Sequence, residues 1–222
     1  MTESVGAANA PDRIDRAPKD ILEEELFRAQ LYSLLSRLLV AAPDAALLGA
    51  LRNIEGDASE LGEAFAALAR TAAVTTPGDA AAEYHDLFIG IGRGELVPYG
   101  SYYLTGFLHE KPLAELRGAL AHLGIERNPS VKEPEDHIAA LCEVMAGLIE
   151  GAFGDPASLA AQRRLFERHI APWAARFFAD LETAATASFY RVVGHIGRLF
   201  VGIETTAFAM VPGDEEFDRR AT

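Results

Sequence analysis
Residues 133–150 read EPEDHIAALCEVMAGLIE, and the fold class turns on this stretch. Proline suits the first helical position, so Pro134 marks a start. Glu135 and Asp136 then fall in the first turn, where negative charge meets the positive end of the helix dipole. At 100° per residue the segment predicts a helix over residues 134–151 with two separated faces. Ile138, Leu141, Cys142, Met145, Leu148 and Ile149 gather on one face. Asp136, Ala139, Ala140, Glu143, Ala146, Gly147 and Glu150 gather on the other, with His137 at the border near Val144 and Leu148. An acidic face of small residues suits either of two roles: a solvated face that compensates the dipole, or a surface on which a peptide meets carboxylates.

The same periodicity extends in both directions. A helix is expected from about Asp20 to Val40, stopped by Pro43, and a short one capped by Asp44 runs to Leu51. Asp57 or Ser59 opens a third through Val74, and Asp79 caps a fourth through Ile89. Gly90 to Phe107 is punctuated by Gly90, Gly92, Gly94, Pro98 and Gly100, which predicts an ordered loop followed by a short helix over Ser101–Leu108. Further helices are expected from Pro112 to Gly124, from the Asp155-Pro156 start to His169, and from Pro172 to Thr183. The last long helix opens at Ser188. No segment alternates with period two. The expectation is an all-α bundle of about nine to eleven helices in two loosely defined subdomains over residues 19–208. Residues 1–18 read as a mobile tail, 209–222 as a polar tail, and 125–133 as a connector.

The chain has 222 residues, 50% hydrophobic and 24% charged, enough for a sizeable core. A net charge of −13 speaks against a nucleic-acid partner and favours a cationic one. Cys142 stands alone, so no internal disulfide forms. The first twenty residues hold no apolar signal region, and no apolar run reaches the roughly 18 residues of a membrane helix. A cytoplasmic protein without stable membrane insertion is expected.

Catalytic chemistry is thinly encoded. Gly90-Ile91-Gly92-Arg93-Gly94 follows a helix and carries Glu95 where a dinucleotide fingerprint needs its third glycine. The six histidines show no metal-ligand spacing, so no metal is expected. Ser101 lies outside any nucleophile elbow, and Asp136 is poorly angled to orient His137 on one helix. Tyr99, Tyr102 and Tyr103 beside a glycine-rich loop suit core packing singly and a recognition surface together.

Three segments now stand in order: Glu83-Tyr84-His85-Asp86-Leu87-Phe88, Pro98-Tyr99-Gly100-Ser101-Tyr102-Tyr103-Leu104, and Glu133-Pro134-Glu135-Asp136-His137. Together they resemble the TorD/DmsD family of redox-enzyme maturation chaperones over roughly Leu22 to Phe208, with its E-P-x-D-H motif met in full. The resemblance implies an all-helical, non-enzymatic cytoplasmic chaperone. Such proteins bind the precursor of a molybdenum-cofactor oxidoreductase, by its twin-arginine leader, its apoprotein or both, and assist cofactor insertion and export proofreading. It implies peptide-binding roles for Asp136, His137, Tyr99, Ser101, Tyr103 and Glu143, and hinge roles for Glu133 and Pro134. No cofactor is expected beyond the weak guanine-nucleotide binding associated with some members, and the chain is expected as a monomer or homodimer, with the connector 125–133 as the hinge for the helix exchange by which some members dimerise. The alternatives are a small hydrolase with His137 as general base, and a scaffold that binds only the folded catalytic subunit.

Overall fold
The computed structural model describes residues 18–126 and 131–211, with 18–22 as backbone alone. Ten α-helices and no strands occur among them: α1 (Pro18–Val40), α2 (Ala45–Leu51), α3 (Glu60–Val74), α4 (Pro77–Tyr84), α5 (Gly100–Thr105), α6 (Lys111–His122), α7 (Ile138–Glu150), α8 (Leu159–His169), α9 (Ala174–Thr183) and α10 (Phe189–Ala209). Most of the expected tails, and residues 127–130 of the expected hinge, lie outside the described residues.

Several helix starts follow from local chemistry. The Asp44 carboxylate accepts the Leu47 N–H at 2.8 Å, and the Ser59 hydroxyl accepts the Gly62 N–H at 3.0 Å. Several boundaries differ from expectation, among them those of α5, which ends at Thr105, and α9, which starts at Ala174. α4 is capped by Thr76, with Asp79 returning the bond as the third residue of a capping box, and it gives way to a π-helical turn over His85–Ile89. α8 starts after Ser158, because Gly151 (φ +79°) and Gly154 (φ +136°) fold residues 151–157 back, placing the Ala157 N–H 2.8 Å from the Leu148 carbonyl. α7 starts at Ile138 instead of Pro134. His137 is extended (φ −65°, ψ 136°) and its ring caps the helix, while the Ile138 N–H bonds to the Pro98 carbonyl at 2.9 Å. Backbone donors committed outside the helix cannot also extend it.

α1 runs along α7, and α10 packs on α9 and crosses α3. The core between them holds Trp173, Tyr32, Tyr190, Phe166, Phe177 and Phe178, all fully buried. The small face of α7 is packed, not open: Ala139, Ala146 and Gly147 are buried, and a Cβ on Gly147 would lie 2.4 Å from the Phe153 ring. Glu143 and Glu150 alone on that face are exposed. α1 and α10 are tied by a buried ion pair. Arg28 holds Glu204, 1% exposed, through two bonds of 2.8 Å, and the Tyr32 hydroxyl donates to the same carboxylate at 2.9 Å. Arg28 also reaches Gln162 of α8 at 3.1 Å, so three helices share one polar node.

The α9–α10 contact depends on glycine. A Cβ at Gly197 would stand 2.2 Å from the Phe178 ring. Gly197→Ala is expected to lower stability by about 1–3 kcal/mol through overpacking, read as a lower urea midpoint. An unchanged midpoint would show that the two helices can separate freely.

Candidate functional site
Two of the sequence motifs meet in a clasp. Tyr99 and His137 form an isolated antiparallel bridge, in which the Ile138 N–H bonds to the Pro98 carbonyl and the Gly100 N–H to the Asp136 carbonyl, each at 2.9 Å. The Asp136 carboxylate then accepts the Ser101 N–H at 2.7 Å, capping α5 from across the chain. Gly100 is required here, since a Cβ would lie 2.9 Å from Nε1 of Trp173. Ser101 is wholly buried, Asp136 is 3% exposed and His137 8%. The Ser101 Oγ and Asp136 Oδ1 are buried without a hydrogen-bond partner among the described residues. His137 Nδ1 accepts the Ala139 N–H at 3.1 Å, and the ring stands edge-on to Tyr99 with centroids 5.0 Å apart. Tyr99 donates its hydroxyl to Glu133, and burial followed by that bond pushes its pKa well up. Glu135 accepts from Arg117 of α6 at 2.9 Å.

The earlier motif works in the same manner. The Glu83 carboxylate accepts the N–H groups of Ser188, Phe189 and Tyr190 at 2.7, 3.0 and 2.8 Å, and so caps α10. Tyr84 donates to the Val40 carbonyl at the end of α1, at 3.0 Å. The glycine loop closes on the π-helical turn, with the Leu96 N–H 2.8 Å from the Leu87 carbonyl. Gly94 has no room for a side chain, because a Cβ would lie 2.5 Å from that carbonyl.

Beside the clasp lies a groove of two chambers that share Arg93, Leu96, Val97, Tyr102 and Gly106 as walls. One, of about 460 Å³, is apolar and lined by Phe88, Ile89, Pro98, Tyr99, Phe107 and Leu108 among others. The other, of about 400 Å³, is polar and lined by Glu95, Tyr103, Arg176 and Asp180. Its tyrosines are fixed: Tyr103 donates to Asp180 at 3.0 Å and packs 5.5 Å from Trp173. Large apolar side chains stay exposed at the groove, Phe107 at 69% together with Ile89 and Leu108, and Ile91 and Leu104 lie on the same loop and helix. Gly106 (φ +85°) ends α5 and turns the Phe107-Leu108 pair outward.

The structure therefore separates the residues singled out from sequence. Tyr99 and Tyr103 line the groove, whereas Ser101, Asp136 and His137 lie in the clasp behind it. Glu143 is exposed on α7, away from the groove lining, and Glu133 holds Tyr99. Arg93, Arg176, Asp180 and Phe107 escaped sequence reading; the only local sign was Phe107-Leu108 standing directly after a glycine. Among the described residues no cluster of His, Cys, Asp or Glu is arranged to hold a metal ion. Cys142 is buried, which pushes its thiol up to about 12.

The geometry defines an all-helical bundle that carries a groove lined by aromatic and apolar side chains. The sequence profile of the nitrate reductase delta subunit family matches residues 54–179, over half of the chain, and the chain belongs to that TorD-like family. It is similar to the chaperone protein TorD of Vibrio atlanticus, 28% identical over 136 residues, 58% of this chain and 63% of the relative. TorD of Vibrio cholerae is 31% identical over 128 residues (54% and 58%), and that of a Psychrobacter species 27% over 162 residues (70% and 73%). The chain thus spans about 58–63% of the length of the first two relatives. Among solved structures it is similar in fold to a candidate redox enzyme maturation protein from Archaeoglobus fulgidus, with a TM-score of 0.52 and 21% identity over 80% of this chain and 93% of the other.

His137 makes the clasp sensitive to acid. Burial lowers its pKa from 6.5 to about 4, and a protonated Nδ1 cannot accept the Ala139 N–H. The unfolded chain takes up the proton more readily, so this contribution is complete above pH 6.5 and is lost as pH falls toward 4. His137→Asn retains a capping side chain and should reduce the stability lost between pH 7 and pH 4.5 by about 2–3 kcal/mol. Urea titrations of both proteins at the two pH values measure this, and equal acid losses would refute the assignment.

Proposed function
We propose that this chain is a cytoplasmic, non-enzymatic chaperone that holds the precursor of a molybdenum-cofactor oxidoreductase, gripping an apolar segment in the groove while the cofactor is inserted and export is delayed. The TorD relatives are named as chaperones, and the family is shared with them. The observation that carries the reading is the exposed apolar rim of Phe107, Leu108 and Ile89 over a pocket of about 460 Å³. A stable monomer gains nothing from leaving such side chains in water, and an apolar helix or strand of a client would cover them. The apolar core of a twin-arginine leader fits that description, and a net charge of −13 draws its basic end toward the chain. Tyr99, Tyr102 and Tyr103 supply the walls. Asp136, Ser101 and His137 serve binding by holding α5 in place, instead of touching the client. No helix among the described residues is long and apolar enough to cross a membrane.

Phe107→Asp changes an exposed side chain, so the fold should be unaffected. Its affinity for a fluorescent leader peptide from a molybdoenzyme precursor encoded by a neighbouring gene should fall tenfold or more, about 1.4 kcal/mol or greater, in line with the burial of one aromatic ring. Equal binding by both proteins would sink the groove assignment, and turnover of a broad panel of esters would sink the chaperone reading.

A further inference from the structure
The polar chamber contains two guanidiniums whose partners are rings, not acids. Arg93 lies over the Tyr102 ring at 5.3 Å and Arg176 over the Tyr103 ring at 5.8 Å. Neither forms an ion pair among the described residues, although both line a pocket with Glu95 and Asp180. The two acids are already engaged. Glu95 takes the Ala185 N–H at 2.6 Å and the Thr186 N–H and hydroxyl at 3.1 and 2.6 Å, while Asp180 takes the Tyr103 hydroxyl. A guanidinium held over a ring by charge alone keeps its N–H donors for another acceptor, and both arginines are exposed. In a chain of net charge −13, two such cations on adjoining aromatic rings stand out from their surroundings.

We propose that the polar chamber is a carboxylate-recognition subsite: the groove takes a peptide segment whose apolar side chains enter the chamber of Phe107 and Leu108 and whose neighbouring Asp or Glu is held between Arg93 and Arg176. This rests on the groove reading above and specifies its client. The chambers share Tyr102 and Leu96, so one continuous segment can occupy both.

Three fluorescent synthetic peptides test this, each with the same apolar segment of Leu and Phe followed by Glu, Gln or Arg. At low salt the Glu peptide should bind about threefold to tenfold tighter than the Gln peptide, as expected for a charge-assisted contact at a half-open site, and the Arg peptide weakest. Arg93→Gln combined with Arg176→Gln should abolish the Glu preference, so that the Glu and Gln peptides bind the variant alike. Three equal affinities, tightest binding of the Arg peptide, or no binding of any peptide would overturn the subsite. The groove reading fails separately: it falls if Phe107→Asp leaves binding of the Gln peptide intact, whatever the arginine variants do.

Discussion
The clasp between Pro98–Ser101 and Asp136–Ile138 is the constraint from which the rest of the site follows. α5 is only six residues long and could not persist alone. It forms because its first free amides are met by the Asp136 carbonyl and carboxylate, and because Gly100 lets it settle against Trp173. The same few residues start α7 through the His137 ring. One small patch of backbone thereby fixes the beginning of two helices, the orientation of Tyr99, and the far end of the glycine loop. Burial of a carboxylate is costly, and the short charge-assisted bond to Ser101 offsets part of that cost.

Caps supplied from distant sequence recur throughout the bundle. Glu83 closes α10, Glu95 ties down the turn before it, and Tyr84 closes α1. Each joins segments that apolar packing alone would leave free to slide, since hydrophobic burial has no direction whereas a hydrogen bond to a helix end does. The loop carrying Arg93 and the α5 helix carrying Tyr102 and Tyr103 are therefore pinned on several sides. Their half-buried rings form a groove with fixed walls, and little ordering entropy remains to be lost on binding.

Legibility in the sequence followed the range of the interactions. Pro43, Asp44, Ser59 and Gly124 marked helix ends correctly because each acts within about four residues of itself, whereas Ser188 marked the start of α10 although its side chain makes no cap and the first amides are taken by Glu83. The start of α7 was misplaced by four residues because the Ile138 N–H is claimed by Pro98, forty positions away in the chain. The Arg28–Glu204 pair spans 176 positions and left no local trace. Motif order pointed to the right family, yet not to the job of each residue. Adjacency does not reveal that Asp136 and His137 face inward while Glu143 faces out. Arg93 and Arg176 were invisible for a related reason: a cation becomes a site only when its neighbours leave its donors free, and that depends on where Glu95 and Asp180 find their own partners.

This placement of partners also decides which groups are left open beside the groove. Proton transfer at neutral pH needs an acid or base near its ordinary value and open to a substrate. The His137 nitrogen facing Ala139 is engaged and its pKa is depressed, the Glu83 and Glu95 carboxylates are filled by backbone amides, and the Tyr99 and Tyr103 hydroxyls are bound to acids and raised far above neutrality. The groups that line the groove are ring faces, apolar side chains, two guanidiniums and the already engaged carboxylates of Glu95 and Asp180. A surface of that composition can hold an extended or helical segment and release it unchanged.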